Sequence, residues 1–162
     1  DSLWLEHDPS FDEIMNDIKK YSLSDYQEIV FCGFGEPTCR LDVLVDTAKV
    51  MKAIKGCPPL RLNTNGLSDL INKKSTSGIL GEVFDTISIS LNAGTKDEYM
   101  KVTRTKYSNS FEAMQKFASD CVKTNAQVVM TVVDVIPQEQ IEAAEEVCKK
   151  AGAEFRVRTY DC

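Results

Sequence analysis

The residues of this 162-residue chain that could do chemistry fall in a few short stretches. Gly33-Phe-Gly-Glu-Pro37 follows the apolar run Ile29 to Cys32. Its glycines let the backbone bend sharply and leave amides and carbonyls unobstructed, while Pro37 stops a strand from continuing. Glu36 is therefore a carboxylate on a tight bend, an acceptor suited to an ammonium or a hydroxyl. Asn63-Thr-Asn65, Ser90 with Asn92, Asp134 and Thr159-Tyr-Asp161 are the other stretches, each at the end of an apolar segment. As a set they suit a polar small molecule. Read singly, Asn63, Asn65 and Asn92 are also ordinary turn formers, and Asp134 could cap a helix starting at Pro137. No nucleophile is paired with a histidine, because His7, the one histidine, lies far upstream and reads as a loop or surface residue. Neither G-x-G-x-x-G nor G-x-x-x-x-G-K-[ST] occurs, so dinucleotide and nucleoside triphosphate sites are unsupported.

The chain is 43% hydrophobic and 27% charged, the composition of one soluble domain spanning residues 1–162. A chain of this length can bury roughly 70% of its unfolded surface. The net charge of −6 argues against nonspecific nucleic-acid or anionic-membrane binding, since phosphates are repelled at long range. No apolar run is long enough for a transmembrane helix and no leader pattern is present, so a cytoplasmic location is expected. The six cysteines lack C-x-x-C or another close metal-ligand spacing. Cys32, Cys121 and Cys148 sit on apolar positions and read as reduced structural thiols, and no zinc site is expected.

These stretches must be positioned by regular elements. Ser10-Phe-Asp-Glu13 is a capping box that starts a helix running to about Tyr21. Ile29 to Cys32 reads as a strand buried on both faces. Leu41, Leu44, Val45, Ala48 and Met51 mark an amphipathic helix closed by Gly56, and Leu60 to Leu62 is a strand. A short helix from Leu67 to about Lys74 and a loop rich in Ser and Gly follow. Asp85 to Leu91 alternates, with Ile87, Ile89 and Leu91 on one side and Ser88 and Ser90 on the other, giving a strand with one polar face. Thr95-Lys-Asp-Glu98 reads as a second capping box, and Phe111 to Val122 as a longer helix ended at Asn125. Val128 to Val135 is a strand. Pro137 suits the first turn of a helix whose apolar face is Ile141, Ala144, Cys148 and Ala151, with Gly152 past its end. Phe155 to Arg158 makes a last strand.

The alternation predicts an α/β fold with a parallel sheet of about five strands and right-handed crossovers. The chain is too short for a closed eight-unit barrel, leaving an open doubly wound sheet or an incomplete barrel. Either places a ligand at the carboxyl ends of the strands, where the polar stretches fall.

On these residues the sequence resembles the radical SAM superfamily. Gly33-Phe-Gly-Glu-Pro37 is similar to its GGEP motif, with Phe34 where the second glycine usually stands, and Leu62-Asn-Thr-Asn-Gly66 and Ile87-Ser-Ile-Ser-Leu-Asn-Ala93 resemble two further strand ends. Leu3-Trp-Leu-Glu-His-Asp-Pro-Ser10 is similar to the segment after the cluster loop in the TatD-associated subgroup. The resemblance implies an incomplete (β/α)6 partial TIM barrel holding S-adenosylmethionine across its carboxyl face. Gly33, Phe34, Gly35 and Glu36 would receive the cofactor's amino group, and Asn63, Ser90 and Asn92 would face its ribose or methionine end. Val132 or Val133 would line the adenine. Neutral Asn and Ser at these ends set the chain apart from glycyl-radical activating enzymes and leave the partner of the cofactor's carboxylate unassigned.

The family binds a [4Fe-4S] cluster through C-x-x-x-C-x-x-C after its first strand, and no such triplet occurs here. The expectation is a radical SAM core lacking its first strand and cluster loop, inactive as given, with no metal ligand of its own. The complete enzyme would cleave S-adenosylmethionine reductively to a 5′-deoxyadenosyl radical for hydrogen abstraction. Its partners would be an electron donor and a small-molecule or peptide substrate. The alternative is a cluster-less, noncatalytic α/β module that binds a nucleotide-like ligand or a protein partner. Arg104, Arg156 and Arg158 read either as solvated or as meeting an anionic substrate.

Overall fold

The computed structural model describes residues 6–33 and 35–160. Ser10 caps α1 (Phe11–Ile18): its hydroxyl accepts from the Glu13 amide at 3.3 Å, and its own amide donates to the Glu13 carboxylate at 2.8 Å. The Ser10 amide is the main reason the Glu13 carboxyl falls from its ordinary 4.5 to about 2, helped by the Ser10 hydroxyl and His7. The helix stops at Ile18, short of Tyr21, which is exposed. Met15 is the residue this helix buries.

The remaining elements are β1 (Ile29–Phe31), α2 (Leu41–Ala53), β2 (Leu60–Thr64), α3 (Ser68–Asn72), α4 (Ser77–Val83), β3 (Thr86–Ser90), α5 (Lys96–Thr103), α6 (Ser110–Val122), β4 (Gln127–Val133), α7 (Gln138–Ala151) and β5 (Glu154–Arg158). Helix α4 lies in the stretch expected to be loop. Its Ser and Gly mask an apolar set, Leu80, Val83 and Phe84, that packs into the core. Pro137 is the N-cap of α7 rather than a residue of its first turn, and Gly152 closes that helix with a φ of 80°, a left-handed turn that glycine adopts without cost.

All five strands are parallel and their spatial order, β1-β2-β3-β4-β5, is their chain order. A doubly wound sheet reverses direction at a switch point. Here the order never reverses, so crossovers of one hand leave every helix on the same face, as in an arc of a (β/α) barrel. Helix contacts run in the same succession, α1 on α2, α2 on α4, α4 on α6 and α6 on α7.

The register sorts the side chains. Leu60 and Leu62 on β2, Ile87 and Ile89 on β3 and Met130 on β4 are fully buried against the helices. The opposite face carries Arg61 and Asn63, Ser88 and Ser90, Thr131 and Val133, then Glu154, Arg156 and Arg158. The alternation read in β3 thus extends across the sheet.

Three further expectations need correction. The run Ile29 to Cys32 is not buried on both faces: β1 is the first strand of the sheet among the described residues, Val30 is 41% exposed and Cys32 is exposed just beyond it. Val30 shares the polar face with its neighbour Arg61. The second capping box does not form, because Gln140 of α7 takes the donors at that corner. Its Oε1 accepts from the amides of Gly94 at 3.0 Å and Thr95 at 3.2 Å and from the Thr95 hydroxyl. Asp134 does not cap α7 but accepts from the amide of Tyr160 at 2.9 Å, fastening the end of β4 to the segment after β5.

The corner after β3 also packs tightly on α7. A Cβ at Gly94 would stand 2.5 Å from Ala143 Cβ, from the Ala144 amide nitrogen and from the Gln140 carbonyl, so the helix backbone itself would have to move. Gly94→Ala is expected to cost about 1–3 kcal/mol. Urea denaturation checks this, and an unchanged midpoint would show that α7 yields freely.

Candidate functional site

Sterics and hydrogen bonding at the end of β1 build the site. Gly35 has a φ of 143°, open to glycine and strained for other residues, and sets the bend before Glu36. Glu36 then caps a short 3₁₀ turn, Pro37–Arg40, accepting from the Thr38 amide at 3.2 Å. Glu36 Oε1 also accepts from the hydroxyls of Thr38 and Thr64, both at 2.7 Å, and Oε2 accepts from the Asn65 amide at 2.7 Å. Four donors from two strand ends therefore hold this half-buried carboxylate. Thr64, 3% exposed, in turn accepts from the Gly66 amide at 3.1 Å. The Asn65 side chain is used locally, accepting from the Leu67 amide at 2.9 Å.

The bend and the neighbouring strand ends enclose a cavity of about 410 Å³, inside the ~300–1,000 Å³ range of small-ligand pockets. Cys32, Gly33, Gly35 and Glu36 line it from the β1 end and Asn63, Thr64, Asn65 and Ser90 from the ends of β2 and β3. Of the predicted site residues, Gly33, Gly35, Glu36, Asn63 and Ser90 therefore converge. Phe34 lies outside the described residues. Asn92 does not line this cavity: it has a left-handed φ of 66°, its side-chain Nδ2 donates back to the Ser90 carbonyl at 3.3 Å, and its backbone amide donates to the Thr131 carbonyl. Val133 lies on the polar face, whereas Val132 is 1% exposed in the helix-side core, where it cannot line a ligand.

Thr64 and Asn65 were visible in the sequence only as members of a polar stretch. Their role as donors to Glu36 depends on contacts 28 and 29 residues apart, which spacing alone does not reveal. Cys32 ends an apolar run, which predicts a structural thiol, yet it is exposed and lines this cavity. A second cavity of about 670 Å³ lies across the bend, where Cys32, Gly33, Gly35 and Glu36 meet Ile14 of α1 and Val43 and Thr47 of α2. The bend is thus a partition with an open side in each direction.

The donor set decides which groups the site can hold. A Cβ at Gly33 or Gly35 would meet nothing within 4 Å, so the wall is an open cradle of backbone groups. A carboxylate offers about four acceptor positions. Among the described residues Glu36 Oε1 takes three donors and Oε2 only one, so Oε2 is the oxygen with acceptor capacity to spare. These features fit a ligand that carries an amino group. They do not fit an iron-sulfur cluster, which takes thiolates. Among the described residues no group of three or more His, Cys, Asp or Glu side chains could hold a metal ion.

The described cysteines are all free, and burial pushes the thiol of Cys121 up to about 12 and that of Cys148 up to about 11. The Cys39 thiol is also raised, by burial first and then by the Glu36 charge. A disulfide reagent at neutral pH is expected to modify exposed Cys32 and Cys39 in the native protein and to reach Cys121 and Cys148 only after denaturation. Peptide mapping of the labelled sites checks this, and native labelling of Cys121 would contradict it. Thr64→Val removes one donor to an ionised carboxylate and should cost about 1.5–3 kcal/mol, with Thr64→Ser retaining most of the stability. If denaturation midpoints of Thr64→Val and wild type coincide, the bridge to Glu36 contributes nothing.

No described helix is long and apolar enough to cross a membrane. A search of curated proteins finds no match to the chain. The family profile described as the Radical SAM superfamily matches residues 3–151, nearly the whole length. With the five-stranded parallel sheet and the glycine-rich bend at its first strand end, that match places the chain in the radical SAM superfamily.

Proposed function

We propose that the chain is the S-adenosylmethionine-binding part of a radical SAM enzyme. The observation that carries this is the convergence of Gly33, Gly35, Glu36, Asn63 and Ser90 on one cavity, in a chain of this family. In this reading the carbonyls of the Gly33–Gly35 bend and Glu36 Oε2 receive the cofactor's ammonium, a charge-assisted contact. Asn63 and Ser90 orient the adjoining part, and Val133 supplies an apolar contact. When bound, S-adenosylmethionine is the source of the hydrogen-abstracting radical that the family uses. The contribution of these residues is to bind it, fix its orientation and keep water from the reacting end.

The cluster that the family pairs with this cofactor would have to be held by thiolates other than those described here. In this reading the ligands lie outside this sequence, in a preceding strand and cluster loop, because the sequence has no C-x-x-x-C-x-x-C triplet. The second reading, on the same missing triplet, is a cluster-less, noncatalytic module that binds a nucleotide-like ligand or a protein partner.

Calorimetric titration with S-adenosylmethionine tests the assignment. At ~100 times its dissociation constant the cofactor should add ~2.7 kcal/mol to the stability of wild type. Asn63→Ala and Ser90→Ala should each weaken binding about tenfold, the equivalent of one lost hydrogen bond, without changing the denaturation midpoint. Glu36→Ala should weaken binding and stability together. Equal affinity in wild type and all three variants would remove the cavity from the cofactor's path.

A further inference from the structure

The polar face of the sheet holds more than the cavity needs. Ser90, Thr131 and Arg156 share one lateral row of the register, and Val133 and Arg158 the row beyond. Neighbouring strands lie ≈ 4.8 Å apart, so Arg156 starts roughly 10 Å along the sheet from Ser90, on the same face and near the same end. Arg61, on that face too, is neutralised by Glu28 at 2.8 Å. Arg156 and Arg158 are exposed, and neither has a carboxylate at salt-bridge distance among the described residues. Among the described residues the nearby acids, Glu154 and Asp134, stay anionic but are directed elsewhere: Glu154 accepts from the Gln127 side chain at 2.6 Å, and Asp134 accepts from the Tyr160 amide.

Resting on the cofactor assignment above, we propose that Arg156 and Arg158 form an anion subsite for the substrate, taking its carboxylate or phosphate group. The chain's net charge of −6 repels anions at long range, so capture depends on the local fork geometry of guanidinium groups, which matches carboxylate and phosphate oxygens. The cofactor carries a carboxylate of its own, but beside the ammonium at the β1 bend. The two arginines lie on β5, at the opposite end of the strand order from that bend. Their position suits a second molecule that lies against the face with its anionic group toward β5 and its reacting carbon toward Ser90.

The test is an NMR titration of the 162-residue chain with inorganic phosphate and, separately, succinate at low ionic strength, read at the β5 amides and the arginine Nε–H signals. Wild type should show saturable shifts at Arg156 and Arg158. The double variant Arg156→Gln/Arg158→Gln should bind either anion at least tenfold more weakly, Lys55→Gln should bind them like wild type, and S-adenosylmethionine affinity should stay within twofold in both variants. Shifts that never saturate, or that Lys55→Gln reduces equally, would overturn the subsite. Loss of S-adenosylmethionine affinity in the arginine double variant would overturn the assignment to substrate and give the anion to the cofactor. If wild type binds phosphate at β5 but not S-adenosylmethionine, the cofactor reading fails and takes the substrate assignment with it, a result distinct from loss of anion binding.

Discussion

The arrangement of the site depends on one carboxylate. Glu36 lies just past the end of β1, yet it draws donors from Thr38 in its own turn and from Thr64 and Asn65 at the end of β2. Hydrogen bonds to an ionised group are stronger than neutral ones, and a half-buried carboxylate left without them would be costly. The two strand ends are therefore held at a fixed spacing, and the glycine bend between them is kept open although nothing packs where its side chains would be. A residue with the chemistry of a cofactor ligand serves first as the clasp that gives the cavity its shape.

Around that clasp the sheet divides its labour by face. The helix side is apolar and closed, with Leu60, Leu62, Ile87, Ile89 and Met130 fully buried. The other side carries Asn63, Ser88, Ser90, Thr131 and the β5 arginines. Strand order equal to chain order puts all the helices on the first side and leaves the second for a ligand. Gln140 extends the scheme from α7, fixing the turn that follows Ser90 through the amides of Gly94 and Thr95.

Much of this was legible in the sequence because it is local. The Ser10 capping box, the alternation of β3 and the glycine after α7 each require residues only a few positions apart, and each forms. The elements that differ are those decided by distant partners. Thr95 and Glu98 have the spacing of a capping box, but a glutamine 45 residues on competes for the donors. Helix α4 was hidden because Ser77, Gly78 and Gly81 weaken helical propensity, whereas Leu80, Val83 and Phe84 gain their burial from the sheet and neighbouring helices. Residues at the site followed the same rule. Glycines and the acidic residue announced themselves by type, while Thr64 and Asn65 acquire a role only once β2 lies beside β1.

Sequential strand order has a further consequence, for assembly. Each strand pairs with the one made just before it, and no later segment has to be threaded between two strands already joined. The sheet can therefore grow by apposition, one strand-helix unit at a time. The Glu36 clasp is available as soon as β2 is in place, so the geometry of the cavity wall can be set early, before β3 brings Ser90 to it.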